Sequence, residues 1–180
     1  MKKWIIAAIF ILSIIAFMLA ISIRFPIRYL DIIKENAGEL EPALILAVIM
    51  AESSFRPNAE SHRGAQGLMQ IMPATAEEIS NHLGLIDFKA EDVWNPEINI
   101  KMGSFYLNRL TSLFSGNIDL ALAAYNAGQG NVSRWLNDPE FSFDGETLDR
   151  IPFPETYNYL SRVRFNERIY RILLTVTRRL

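Results

Sequence analysis

No cysteine occurs among the 180 residues of this chain, which excludes a disulfide framework, a thiolate metal site and a lipid-modified N-terminal cysteine. Histidine is scarce. His62 and His82, the two present, belong to no HExxH pattern and to no cluster of acidic ligands, so both read as ordinary polar side chains. Neither sign of charge is in excess: 18 basic and 20 acidic residues give a formal net charge of -2. A chain without a broad positive field has no means of holding a phosphate backbone, and nucleic acid is not an expected partner. Internal repeats and low-complexity tracts are absent, strand-like alternation is rare, and Gly128-Gln129-Gly130 makes a poor phosphate loop because no strand precedes it.

A long apolar run is present. Lys2 and Lys3 lead into an uncharged segment, residues 4–23, long enough to cross the ~30 Å hydrocarbon layer as a helix. A secretory signal has a shorter apolar core and a small-x-small cleavage site. Ala20-Ile21-Ser22 matches that pattern weakly, so residues 1–24 read as a retained membrane anchor, with a signal segment as the alternative. Lys2 and Lys3 on one side are balanced by Arg24 and Arg28 on the other, and charge alone does not orient the segment. Residues 25–180 remain, roughly 150 residues, enough for one domain with one core.

The punctuation of this second part is helical. Residues 30–37 have helical spacing and stop at Gly38. Pro42 suits the first turn of a helix whose following residues are apolar all round, which places it in the core, and Pro57 is expected to end it. Residues 58–67 read as a loop. Pro73, Thr75, Glu77 and Glu78 resemble the first turns of another helix closed by Gly84. Asn95-Pro96 is an N-cap signal for a helix running to Gly116, and Asn117 caps the next, stopped by Gly128. Val132, Trp135 and Leu136 suggest a further short turn of helix. In residues 138–150, Phe141 and Phe143 alternate in the manner of a brief strand. Pro154 opens a last helix in which Phe165, Ile169, Ile172 and Val176 share one face, with Arg164, Arg168, Arg171, Arg178 and Arg179 read as solvated charge or, alternatively, as a contact with anionic lipid or wall polymer.

Glu52 is the residue that asks for an explanation. It follows the apolar stretch 42–51, where loss of solvation raises a carboxyl's pKa and lets it keep a proton near neutral pH for donation to a leaving oxygen. From position alone, a helix-terminal glutamate whose stem packs while its head reaches water is an equal alternative. Met69 and Met72 are equally suited to core packing, Tyr125 to a core site with its hydroxyl satisfied, and Gly64 and Gly67 to tight turns or to close backbone approach by a ligand.

Four blocks carry a resemblance: Glu52-Ser53-Ser54-Phe55, Gly67-Leu68-Met69-Gln70-Ile71-Met72-Pro73, Ala124-Tyr125-Asn126-Ala127-Gly128 and Ile151-Pro152-Phe153-Pro154-Glu155-Thr156. In this order they resemble the soluble lytic transglycosylase family, over roughly residues 32–170. The resemblance implies a mainly α, goose-type-lysozyme-like fold of the α+β lysozyme superfamily. It also implies cleavage of the bond between N-acetylmuramic acid and N-acetylglucosamine in peptidoglycan. Carried across position by position, it makes Glu52 the catalytic acid and then base, and sets Ser61, Gln70, Met72, Tyr125 and Asn126 along the glycan groove with Glu155 nearer the peptide stem. Gly67, Leu68, Met69 and Tyr159 join the substrate-binding positions on the same ground. Tyr157 departs from the pattern, standing where many relatives have arginine.

Two-carboxylate glycosidases place a second acid across the bond, whereas substrate-assisted enzymes do not. No aspartate stands at the matching positions, and Glu60 lies in a polar loop. The expectation is therefore assistance by the sugar's own N-acetyl group, a 1,6-anhydro product, and no metal or cofactor. A hydrolysing muramidase and a non-catalytic wall-binding or assembly protein are the competing readings. The implied chain is a single-pass membrane protein with its domain outside the cytoplasm, an orientation that follows from the substrate. Its partners would be glycan strands, the membrane through residues 1–24, and unidentified wall or secretion machinery.

Overall fold

In the computed structural model, residues 2–177 are described and form helices with no sheet among them. Arg178 and Arg179 lie outside the described residues. In order come α1 (Lys2–Arg24), α2 (Leu30–Asn36), α3 (Pro42–Glu52), α4 (Pro73–His82), a 3-10 turn (Ala90–Trp94), α5 (Pro96–Leu113), α6 (Ile118–Ala127), α7 (Gln129–Leu136) and α8 (Pro154–Thr177). The expected mainly helical domain is thus observed.

α3 is the centre of the core. Every residue from Ala43 to Met50 is buried, and a helix with no polar face is stable only when wrapped by others. α8 runs along it in the most extensive helix pairing of the molecule, α2 covers another side, and α6 touches α8 in turn. α5 packs against α2, α4 and α6, while α7 packs on α6. Each large aliphatic side chain taken from water into this core contributes about 1.5–3 kcal/mol relative to exposure.

The capping signals act as read. The Asn95 side chain accepts from the amides of Glu97 and Ile98, and that of Asn117 from Asp119 and Leu120, satisfying donors that a helix start leaves free. Gly128 ends α6 at φ 89°, a value that favours glycine.

Three expectations are corrected. α3 stops at Glu52, short of Pro57, because Ser54 and Phe55 both adopt left-handed backbone, φ 52° and 61°, and swing the chain away at once. Phe141 and Phe143 form no strand. The Asp144 carboxylate accepts from the amides of Glu146 at 2.8 Å and Thr147 at 2.7 Å, and this local turn competes with any extended pairing. The third concerns α8: its buried face is Thr156, Tyr159, Val163, Asn166, Glu167 and Tyr170, whereas Phe165, Ile172 and Val176 are 59%, 61% and 43% exposed. Aromatic and polar groups that meet α3 set the inner face, outweighing the aliphatic spacing. Nor are all the arginines free: Arg164 and Arg171 both pair with buried Glu167 at 2.8 Å, and reach on to Asp119 at 2.7 Å and Glu41 at 3.0 Å.

Candidate active site

Glu52 is the last residue of α3, so its carboxyl sits where the helix carbonyls, and the negative end of the dipole, disfavour a second negative charge. Burial is the larger influence and holds its pKa at about 7, up from 4.5. The approach of the Tyr159 hydroxyl and the Arg162 charge pull the value down, and the Glu155 charge pushes it up. The turn after Glu52 is fixed by Ser53, whose hydroxyl donates to the Ile49 carbonyl at 3.2 Å, and by Phe55, which buries its ring beside Tyr170.

Two phenols face this acid. Tyr125, from α6, donates its hydroxyl to the Met69 carbonyl at 2.8 Å. Tyr159, from α8, comes close enough to Glu52 to lower its pKa, yet its buried hydroxyl makes no hydrogen bond of regular geometry. Burial first, and the Glu52 charge second, raise both phenols well above their ordinary range. Both therefore stay protonated and neutral beside the carboxyl.

The loop carrying residues 58–71 forms the adjoining wall. Isolated bridges join Glu60 to Gln66 and Gln66 to Ile71, and the Ser61 hydroxyl accepts from the Ala65 amide at 2.9 Å. Gln70 takes left-handed backbone, φ 51°, and spends its amide hydrogens on the carbonyls of Ala59 at 2.8 Å and Gly67 at 3.0 Å. Its side-chain oxygen is left as the acceptor on this half-buried residue. Asn99, on α5, holds the loop from within: its oxygen accepts from the Met69 amide at 2.7 Å, and its nitrogen donates to Gln66 at 3.0 Å and Val93 at 2.9 Å. At Gly67, φ +80°, a Cβ would collide with the Asn99 side chain. The glycine is thus required on its inner side.

The sequence-derived positions fall into groups. Glu52, Tyr125 and Tyr159 converge. Leu68 and Met69 are wholly buried, backbone included, and the Met69 amide and carbonyl are taken by Asn99 and Tyr125, so these two expected binding positions support the wall from behind and present no atom to a ligand. Met72 is 42% exposed and Glu155 is exposed at the first turn of α8. The Asn126 oxygen accepts from the Thr156 hydroxyl at 2.8 Å, tying the end of α6 to the start of α8. Asn99, Thr156 and Tyr106, whose ring lies 5.5 Å from that of Tyr125, were not singled out by sequence. Asn99 occupies an otherwise ordinary helical segment, and nothing in its neighbours marks it. Glu60 is exposed. Among the described residues, no three His, Asp or Glu side chains converge as a metal site would require.

An acid protonated near neutrality at the end of a core helix, flanked by two neutral phenols and a loop of amides and carbonyls, is equipped to donate a proton to a sugar oxygen and take one back. Known proteins share this arrangement of sequence. Residues 30–144 match the family model described as the Transglycosylase SLT domain. The soluble lytic murein transglycosylase of Escherichia coli K12 is 34% identical over 155 residues, 84% of this chain and 24% of that protein. The membrane-bound lytic murein transglycosylase C of Histophilus somni is 32% identical over 169 residues, 81% of this chain and 47% of that protein. Among solved structures, the Escherichia coli 70 kDa soluble lytic transglycosylase superposes with a TM-score of 0.76 at 32% identity, covering 86% of this chain and 26% of that one. An inactive glutamate-to-glutamine mutant of Slt from Pseudomonas aeruginosa gives 0.75 at 35% identity, covering 86% and 25%. The chain therefore spans about a quarter of the length of its soluble relatives, and it belongs to the transglycosylase SLT-domain family.

Proposed function

We propose that this protein is a membrane-anchored lytic transglycosylase that cleaves the β-1,4 bond between N-acetylmuramic acid and N-acetylglucosamine in peptidoglycan and leaves 1,6-anhydro ends. The observation that carries the reading is the Glu52 carboxyl with its pKa near 7 between Tyr125 and Tyr159. Inactivation of the Pseudomonas relative by a single glutamate-to-glutamine change supports an essential acid in this family.

In the proposed sequence, Glu52 gives its proton to the glycosidic oxygen as the bond from the muramic acid C1 breaks. The N-acetyl oxygen of the same sugar closes on C1. Glu52, now a carboxylate, removes the proton from the C6 hydroxyl, and O6 displaces the N-acetyl oxygen from C1 to form the anhydro ring. The acid ends protonated and no water is consumed. Tyr159 is suited to the middle of this cycle, since its hydroxyl is uncommitted while Glu52 is protonated and can donate once the carboxylate appears. The Gln70 oxygen and the Asn126 amide nitrogen supply polar contacts for the sugar edges, Met72 supplies an apolar one, and Ser61 and Glu155 complete the binding wall, with residues 67–69 as its buried support.

α1 supports the anchor: Lys3–Arg24 has a mean hydropathy of 2.9 and none of its window is buried. The substrate then puts the domain on the wall side of the membrane. Purified peptidoglycan should be digested with the wild type and with Glu52→Gln, and the masses of the new ends measured. Anhydro ends from the wild type and none from the variant are expected. Ends heavier by one water would replace this reading with a hydrolysing muramidase. Glycan binding without new ends would replace it with a binding protein.

A further inference from the structure

We propose that the outward stripe of α8, formed by Phe165, Ile169, Ile172 and Val176, rests on the surface of the bilayer that α1 enters, so that the catalytic unit lies against the membrane. The inference rests on the anchor reading of α1 and goes beyond it. These four side chains recur at helical spacing on one face. Phe165, Ile172 and Val176 are 59%, 61% and 43% exposed and Ile169 between them is half-buried, which leaves a largely uncovered apolar strip, the kind of surface that marks an interaction site.

The strip begins where the anchor arrives. Phe25 directly follows α1, and its ring lies 6.4 Å from that of Phe165 and 5.9 Å, edge-on, from that of Tyr170. The Tyr170 hydroxyl donates to the Pro26 carbonyl at 3.3 Å, and the Arg24 guanidinium reaches the Met50 sulfur at 3.7 Å. The connector is thus fastened to α8 and α3, and Phe165 stands within a side chain's length of the point where the backbone leaves the apolar helix. One and two turns earlier, the same face of α8 carries Ser161 and Asn158, so the apolar character is confined to the half of the helix at and beyond that exit.

Charge complements a lipid surface. Arg28, just past the end of α1, and Arg168, on α8, are exposed, and among the described residues neither has a carboxylate within ion-pair distance. Arg164 and Arg171, by contrast, are occupied by acids. An apolar helical stripe edged with free arginines is the pattern of a helix lying in the headgroup region, its apolar side chains sunk about 5–10 Å. The consequence for the reaction is positional: a domain seated in this way addresses glycan close to the membrane.

The native chain has no cysteine, so single probes are unambiguous. The full chain, carrying an environment-sensitive fluorophore at Leu12→Cys, Ile172→Cys, Val176→Cys or Ser112→Cys, is reconstituted into vesicles of phosphatidylethanolamine and phosphatidylglycerol with a spin-labelled lipid. Emission from positions 12, 172 and 176 should shift to the blue and be lost to the spin label, while position 112 on α5 behaves as in water. Quenching at 12 with none at 172 and 176 would overturn the proposal and leave the anchor intact. No quenching at 12 would remove the anchor and the proposal together. Self-quenching at 172 that grows with protein density, without lipid quenching, would assign the stripe to a second copy of this chain and overturn the proposal.

Discussion

The Tyr125 hydroxyl donates to the Met69 carbonyl at 2.8 Å, a single bond that fastens the end of α6 to the loop bordering Glu52. Because its only proton is committed there, Tyr125 would meet a sugar in the proposed site as an acceptor. Tyr125→Phe should lower stability by about 1 kcal/mol and raise KM more than it lowers kcat. Denaturant titration and steady-state kinetics check both effects, and an unchanged KM would remove Tyr125 from the binding wall.

Glu52 makes the protein's stability depend on pH in a defined direction. Its folded pKa of about 7 stands above the ordinary 4.5, so the native state binds a proton that the unfolded chain releases. Stability should fall as pH rises from 4.5 to about 7 and level off above, once the native carboxyl has ionised too. Glu52→Gln removes that burden and should be more stable than the wild type by up to about 3 kcal/mol at pH 8, with the gap closing below pH 5. Melting both proteins across this range tests it, and a constant gap would show that Glu52 is not held protonated by the fold.

Tyr159→Phe deletes a buried hydroxyl that has no regular partner, so it should cost little stability or add some. It also removes an influence that lowers the Glu52 pKa. The expected result is a lower kcat with the alkaline limb of its pH profile moved upward. A limb in the same place would assign Tyr159 to packing alone.

Asn99→Ala should be among the most damaging changes outside the site. It leaves the Met69 amide and the Gln66 and Val93 carbonyls to lose their partner together, and the unpaired amide alone costs about 1–3 kcal/mol. Chemical denaturation measures the loss. Activity should fall with it, because the loop carrying Gln70 is no longer held.

Glu167→Ala should destabilise the protein by less than the about 3–5 kcal/mol typical of a buried charge left alone, since Arg164 keeps Asp119 and Arg171 keeps Glu41. Salt should narrow the difference.

Local signals were the legible part. Asn95-Pro96, Asn117 and Gly128 act through their own side chain or backbone conformation, and each fixes a helix end within a residue or two. The helical class and the burial of α3 follow from the same kind of short-range pattern. What a residue faces across space is not written in its neighbours. α8 buries Tyr159, Asn166 and Glu167 because α3, Ala47 and two arginines await them, and spacing of aliphatic residues gave the wrong face. Asn99 satisfies three backbone groups, and two of them, at Gln66 and Met69, lie in a loop 33 and 30 residues away, which no window of sequence around it reveals. At the candidate site, the blocks around Glu52, Gln70 and Tyr125 were visible as motifs, but the commitment of Gln70 and Tyr125 to backbone partners was not.

The acid at position 52 acquires its character from groups on three separate helices, α3, α6 and α8. In the unfolded polypeptide the same position carries a common glutamate, ionised at neutral pH. On the proposed reading, competence to cut arrives only when α8 docks, so a partly folded copy leaves the glycan intact.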